Sequence, residues 1–331
     1  MRAVVLVGGF GTRLRPLTLN MPKQMLPIVG KPMIEHVVEN LASHGITEVV
    51  LSLGFAPDVF QSAYPEGHCN GVPIQYAIEP EPLDTAGAIR FAADSANIEE
   101  TFLVLNGDVL TDLDIQSLIS FHKEVGAEAS IHLTTVDDPS RYGVVPTDER
   151  GQVLGFIEKP LAEDSPTNWI NAGTYILEPS VLNRITEGRR VSIEKETFPS
   201  LASDSALFAF QSESYWIDTG TPATYIQAQL DLLEGGMRGF TDSGIDPTAV
   251  ISGAVEHSVV GAGVVIEEGA QVTGSVLLEG VRVERDAIIS DSVIGFQSSI
   301  GQNANITSFS IVGHGVNVQQ GEEITESTLA R

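Results

Sequence analysis

The segment GGFGTRLRPLT, Gly8 to Thr18, packs glycines, a threonine and arginines into one short stretch, and that mixture suits an anion. Glycine backbone can approach a bulky ligand and turn its amides toward phosphate oxygens, which makes Gly8, Gly9, Gly11 and Thr12 candidate phosphate contacts. Arg13 can neutralise charge on a reacting phosphate through a charge-assisted fork. The same glycines would also serve a tight turn needing positive φ, so the loop alone leaves both readings open. Lys23, just after a proline in PKQMLPIVGKPM, offers a point charge for a phosphate. No GK[ST] follows the glycines, which excludes a P-loop, and the dinucleotide fingerprint lacks its third glycine. Two carboxylates complete the set: Asp108 in VLNGDV and Asp218 in YWID each end a strand-like segment. Hard oxygens with phosphate co-ligands suit Mg2+, while an aspartate after glycine also commonly caps its own turn.

Such residues need strand ends to hold them. AVVLV reads as a continuous buried strand running into the glycine loop, and EVVLSL, IQYAIE, FLVLNGD and ASIHLTTV follow as further strands. Between them PMIEHVVENLASHG, TAGAIRFAADSA and DIQSLISFHKEVG read as helices, the first with Pro32 near its start and Gly45 just past its end. Strands alternating with helices predict an α/β domain with right-handed crossovers and a mixed, mainly parallel, Rossmann-like sheet. Ligands of such sheets bind at the carboxyl ends of the strands, where the glycine loop and NGDV both fall. From about Ser140 to Gly220, YGVV, QVLGFIEKP, NAGTYIL and FAFQSESYWID predict short strands of a lobe over one end of the sheet, and TPATYIQAQLDLLEGG closes the region as a helix.

After Gly236 the helical pattern stops and a spacing of six appears. Val260, Ile266, Val272 and Leu278 form one run, and Ile294, Ile300, Ile306, Val312 and Val318 another, with a slip in phase near Arg285. One inward aliphatic per six residues predicts a parallel β-helix of stacked triangular coils. The expected division is therefore a catalytic domain over residues 1–236 and a β-helix over 237–331, whose end coil invites self-association.

The chain has 331 residues, enough for two cores, and a formal net charge of -26. That charge excludes a nucleic-acid binder, which needs a basic surface. It also makes local cations informative: of 18 Lys and Arg, five lie in the first 31 residues, namely Arg2, Arg13, Arg15, Lys23 and Lys31. No apolar run is long enough for a bilayer, and MRAVVLVGG does not read as a signal peptide. Cys69 is the only cysteine, which rules out an intrachain disulfide framework and points to a reducing, cytoplasmic setting.

The glycine loop followed by PK resembles the signature GGxGTRLxPLT…PK of the sugar-1-phosphate nucleotidyltransferases. The resemblance continues through EPEPLDTAGAI, VLNGDV, FIEKP, NAGTYIL and YWIDTGTP, over essentially all of residues 1–235. The order PSRYGVV, FIEKP, INAGTYIL, SIEKETFP, YWIDTGTP and a β-helix of this length are most similar to the mannose-1-phosphate guanylyltransferase branch. Two positions depart from that branch: Asp84 stands where LGTAG has glycine, and Gln24 where proline is usual. The resemblance implies a nucleotide-diphospho-sugar transferase fold followed by a left-handed β-helix. It implies that a sugar 1-phosphate oxygen attacks the α-phosphorus of a nucleoside triphosphate, with pyrophosphate leaving from the opposite side. Asp108 and Asp218 would hold Mg2+, and Arg13 and Lys23 would act on the phosphates. Lys159 would touch the sugar phosphate, Glu158 and Asn171 the sugar hydroxyls, and Gly143 would leave room for the ring. Glu79 and Gly87 would lie at the base. Glu194 and Lys195 could reach the sugar or form a helix-surface pair, and His257 and His314 are expected as surface histidines. Alternative outcomes are a glucose-1-phosphate thymidylyl- or uridylyltransferase and a regulatory paralogue without turnover. A paralogue of that kind would be expected to lose Arg13, Lys23, Asp108 or Asp218, and all four are present.

Overall fold

In the computed structural model, which describes residues 1–237, 240 and 242–330, the AVVLV run becomes strand β1 (Arg2–Leu6), with Ala3, Val4 and Val5 fully buried. It lies between two parallel neighbours, β2 (Glu48–Leu53) and β4 (Phe102–Asn106), and β3 (Val72–Ile78) continues in parallel beyond β2. A strand covered on both faces must be apolar throughout, which is why these segments read as unbroken hydrophobic runs. Antiparallel pairings make the sheet mixed: β8 (Trp169–Leu177) runs against both β4 and β5 (Ala129–Thr135), and β6 (Gly143–Val144) runs against β8. β6 also pairs with β7 (Ile157–Glu158), and β9 (Leu207–Gln211) adds in parallel to β5. The expected helices are α1 (Met33–Ser43), α2 (Asp84–Ser95) and α3 (Ile115–Val125), the last capped by Asp114 at its start and by left-handed Gly126 at its end.

Contacts along the chain define two compact units, residues 1–8 with 37–216, and residues 9–36 with 217–331. The core of the first joins sheet residues such as Val4, Val104, Ile131 and Tyr175 to Ala86, Ile89 and Ala93 of α2 and to Phe198 and Leu201. The second holds helix α4 (Pro222–Leu233), with a capping box from Thr221 and Thr224, and the β-helix.

The β-helix consists of three five-stranded parallel sheets. Ile251, Ile266, Val283, Ile300 and Val318 stack on one face, and Val255, Val272, Ile289, Ile306 and Ile324 on the second. The third face stacks Val260, Leu277, Ile294, Val312 and Leu329. Two sequence expectations are corrected here. The stacked residue is Leu277, not Leu278, and the change of phase is not one slip near Arg285. The step onto the third face is five residues wherever Val272 leads to Leu277 or Ile289 to Ile294. Serine lines the corner onto the third face, five residues long at Ser258, Ser275 and Ser292 and six at Ser310. Ser258, Ser275, Ser292 and Ser310 are buried, and the amides of Ser275, Ser292 and Ser327 donate to the hydroxyls of Ser258, Ser275 and Ser310 one coil earlier. The ladder satisfies polar groups that burial would otherwise penalise.

Candidate functional site

In the first unit, backbone hydrogen bonds draw the carboxyl ends of the parallel strands together. Val7 donates to Ser52 O, Gly107 to Leu6 O and Glu79 to Leu53 O. Gly8 emerges there beside Glu79: a Cβ on Gly8 would lie 3.6 Å from Glu79 Oε1. Both Glu79 oxygens accept hydrogen bonds, one from the Ser52 hydroxyl at 3.1 Å and one from the Leu83 amide at 3.0 Å. Asp108 follows β4 directly.

The sugar candidates come together around a cavity of about 310 Å3 lined by Gly143, Glu158, Asn171 and Phe156 on one side and Asp84, Ser192, Glu194 and Lys195 on the other. Gly143 and Glu158 are cross-strand partners on β6 and β7. Asn171 sits at an irregularity of β8, between the registers of Asn171 and Tyr175, the kind of bulge that re-aims a side chain. Its amide donates to Tyr175 Oη at 2.9 Å and its carbonyl accepts the Gly173 amide at 2.9 Å. The Tyr175 hydroxyl is raised well above its ordinary pKa, first by complete burial and then by the negative charges of Glu194 and Asp108. Asp108 therefore acts electrostatically on the same tyrosine that anchors Asn171. Lys159 is exposed, has φ 48°, and holds its ammonium 3.5 Å from Glu158 Oε1.

Sequence reasoning left Glu194 and Lys195 undecided between the sugar site and a helix surface, and both line the cavity. They ride on one π turn, Ile193–Thr197, a widened turn of a kind often found at functional sites. The turn is fastened to the start of α2. Thr85 Oγ1 accepts the Ile193 amide at 2.8 Å and donates to Glu194 Oε2 at 2.9 Å, and Ser192 Oγ donates to the same oxygen at 2.9 Å. Val191 O accepts from the amides of Ala86 and Gly87. A Cβ on Gly87 would meet Arg189 O at 2.6 Å, so glycine there permits this close packing. Asp84 opens α2 at φ 61°, a left-handed conformation that glycine takes freely and aspartate tolerates. Its carboxylate lies 3.4 Å from Arg190 Nε.

In the second unit, left-handed Gly11 (φ 57°) leads into the turn Thr12–Leu14 that carries Arg13. Thr18 Oγ1 donates to Gly11 O at 2.7 Å and closes the loop. A Cβ on Gly11 would press on Thr18 Cγ2 at 3.0 Å and on Lys23 Cβ at 3.3 Å, whereas Gly9 has open space around it. Asp218 ties the cations together, with one carboxylate oxygen 4.0 Å from Arg13 Nη2 and the other 4.0 Å from Lys23 Nζ. Lys23 is only 5% exposed, and burying an ammonium requires such a partner. Gly220 preserves the arrangement, because a Cβ there would overlap the Arg13 guanidinium and stand 2.9 Å from Asp218 Oδ1. His257 is half-exposed beside Glu234 at 3.6 Å. His314 departs from expectation, since both ring nitrogens are engaged and the ring is largely buried.

A mainly parallel α/β sheet of this kind binds its ligands at the carboxyl ends of the strands. The chain belongs to the nucleotidyl transferase family, whose model matches residues 2–235, and residues 241–330 match the GMPPB C-terminal domain. It is 41% identical to a mannose-1-phosphate guanylyltransferase of Mycobacterium tuberculosis over 87% of this chain and 82% of that protein. It is 40% identical to mannose-1-phosphate guanylyltransferase 1 of Arabidopsis thaliana over 96% of this chain and 92% of that one. Among solved structures, HddC from Yersinia pseudotuberculosis is similar with a TM-score of 0.60 and 31% identity, over 69% of this chain and 97% of HddC. HddC has also been solved in complex with GMP-PN. No helix among the described residues is long and apolar enough to cross a membrane.

Proposed function

We propose that this chain condenses mannose 1-phosphate with GTP to give GDP-mannose and pyrophosphate. The observation that carries the reading is the similarity, along nearly the whole chain, to proteins named for that guanylyl transfer. A phosphate oxygen of mannose 1-phosphate forms the new bond to the α-phosphorus as the bond to the departing pyrophosphate breaks. The attacking group is already an anion, so the protein's task is alignment and charge neutralisation. Arg13 and Lys23 supply positive charge to the nucleotide phosphates, and the amides of Gly8, Gly9, Gly11 and Thr12 face their oxygens. Glu79 and Gly87 belong to the base side. Gly143, Glu158 and Asn171 receive the sugar, and Lys159 its phosphate.

Asp108 and Asp218 offer hard carboxylate oxygens, and a cation that completes its shell from phosphates and water fits such donors; Mg2+ is such a cation. Asp108 and Asp218 would hold it, and when bound it neutralises charge developing on the α-phosphate. We also infer self-association through the β-helix, checked by a native mass that is a multiple of the chain, and a reducing cytoplasmic setting, in keeping with the lone, buried Cys69.

The test is a matrix of four nucleoside triphosphates against mannose, glucose and N-acetylglucosamine 1-phosphates, scored by pyrophosphate release with Mg2+. GTP with mannose 1-phosphate is expected to give the highest kcat/KM. A preference for dTTP or UTP with glucose 1-phosphate, or no turnover of any pair, overturns the reading. Within the cavity, Glu194→Gln is expected to raise KM for mannose 1-phosphate about tenfold, because an amide cannot replace a charged acceptor anchored by two hydroxyls. KM for GTP should stay unchanged. An unaltered KM for the sugar phosphate would show that Glu194 does not meet the sugar.

A further inference from the structure

His314 occupies a turn of the β-helix between the strands Ile311–Val312 and Asn317–Val318. Its Nδ1 receives the Phe296 amide at 3.0 Å, and its Nε2 lies 3.0 Å from Leu17 O. An amide can only donate, so Nδ1 is bare. The ring proton is then on Nε2, which donates to the Leu17 carbonyl. The Phe296 ring packs on the imidazole, with centroids 4.9 Å apart. Next to it, a Cβ on Gly313 would crowd Pro16 Cγ at 2.8 Å, so the β-helix backbone meets the Pro16–Leu17 stretch at a distance only glycine permits.

From Leu17 the connections run straight to the phosphate-binding candidates. Leu17 N donates to Leu14 O, closing the end of the turn that carries Arg13. Thr18 fastens Gly11, and Arg13 and Lys23 share Asp218. All of these residues belong to one compact unit.

We propose that His314 is a positioning residue for the nucleotide phosphates: its neutral imidazole fixes the Leu17 carbonyl and, through it, the turn that presents Arg13. The β-helix is on this view part of the nucleotide site. Burial holds the His314 pKa below its ordinary value, outweighing the opposing effect of the Leu17 carbonyl, and so favours the neutral ring, whose tautomer the Phe296 amide and the Leu17 carbonyl then select. The inference rests on the phosphate role proposed above for the Arg13 loop.

The experiment uses full-length His314→Ala, His314→Gln, Arg13→Ala and His257→Ala, with steady-state kinetics for GTP and mannose 1-phosphate and amide hydrogen exchange over residues 9–19. His314→Ala is expected to raise KM for GTP about tenfold, the effect of losing one good hydrogen bond, to leave KM for mannose 1-phosphate unchanged, and to speed exchange over residues 9–19. His314→Gln, whose amide can still donate to Leu17 O, should recover part of both effects, and His257→Ala should behave as wild type. A purely structural role would reduce the amount of active enzyme and leave both KM values alone. Wild-type KM for GTP with wild-type exchange over 9–19 in His314→Ala overturns the proposal. If Arg13→Ala also leaves GTP kinetics untouched, the phosphate reading of the loop is what fails, and exchange still reports whether His314 holds it. Should the alanine variant not fold, His314→Phe, which keeps a ring but cannot donate to Leu17 O, decides on the same readouts: a raised KM for GTP with faster exchange over residues 9–19 supports the connection, and wild-type values refute it.

Discussion

Asp218→Asn is expected to lower kcat by about a thousandfold, the upper range for removing one preorganised charge-stabilising group, while the chain remains folded. The carboxylate lies 4.0 Å from both Arg13 and Lys23, and it is a proposed Mg2+ ligand. An amide would leave two cations facing each other without the anion that sets their spacing. Arg13, exposed for 62% of its side chain, would swing away, and the buried Lys23 would be left with weaker compensation. Two measurements check this: kcat under saturating substrates, and the Mg2+ concentration giving half-maximal rate, which should rise in the variant. Asp108→Asn should match the loss of rate and the Mg2+ shift. Wild-type kcat with an unshifted Mg2+ requirement in both variants would remove these carboxylates from the mechanism.

Much of this arrangement was legible because it rests on local rules. The unbroken AVVLV, EVVLSL and FLVLN runs fixed a sheet buried on both faces, and period-six aliphatics fixed the coils. The clustering of Arg13 and Lys23 in an acidic chain marked a cationic centre. What sequence could not supply were relations set by tertiary packing. Glu194 and Lys195 stay undecided between the sugar site and a helix surface because a π turn and an α-helix share the same composition. Only the hydroxyls of Thr85 and Ser192 aim Glu194 into the cavity. A signal did exist, since Thr85 stands at the start of α2 beside the unusual Asp84. His314 read as a surface residue because nothing local in HGVNV tells that Pro16 and Leu17, almost three hundred positions earlier, lie against it. A strict period of six points to Leu278 rather than Leu277 because it passes over the five-residue corners at Ser258, Ser275 and Ser292. The serine series at Ser258, Ser275, Ser292 and Ser310 was visible in the sequence and would have corrected it.

A histidine outside the candidate site governs the largest expected response to pH. His132 lies on β5, fully buried, with Nε2 3.0 Å from Ser212 Oγ and the Phe210 ring 6.5 Å away. Among the described residues its Nδ1 has no hydrogen-bond partner. An imidazolium there would be buried without a counter-charge, and burial alone lowers its pKa to about 3. The unfolded chain takes up that proton near pH 6.5, the folded chain only near pH 3, so the unfolded state binds more protons throughout the interval. Stability is therefore full above pH 6.5 and declines as pH falls, by about 1.4 kcal/mol per pH unit for one such group. Asp114, Asp138 and Asp246 are each held below the usual carboxylate range, chiefly by hydrogen bonds from neighbouring hydroxyls, so they keep their charge in the upper part of this window. The His314 shift has the same sign as that of His132 but persists in a His132 variant and cancels in the comparison. Urea unfolding of wild type and His132→Gln at pH 7.5 and 5.0 should show the wild type losing about 2 kcal/mol relative to the variant between the two conditions. A stability difference that does not change with pH would mean that His132 is already charged in the fold, or that its burial opens to water before acid reaches it.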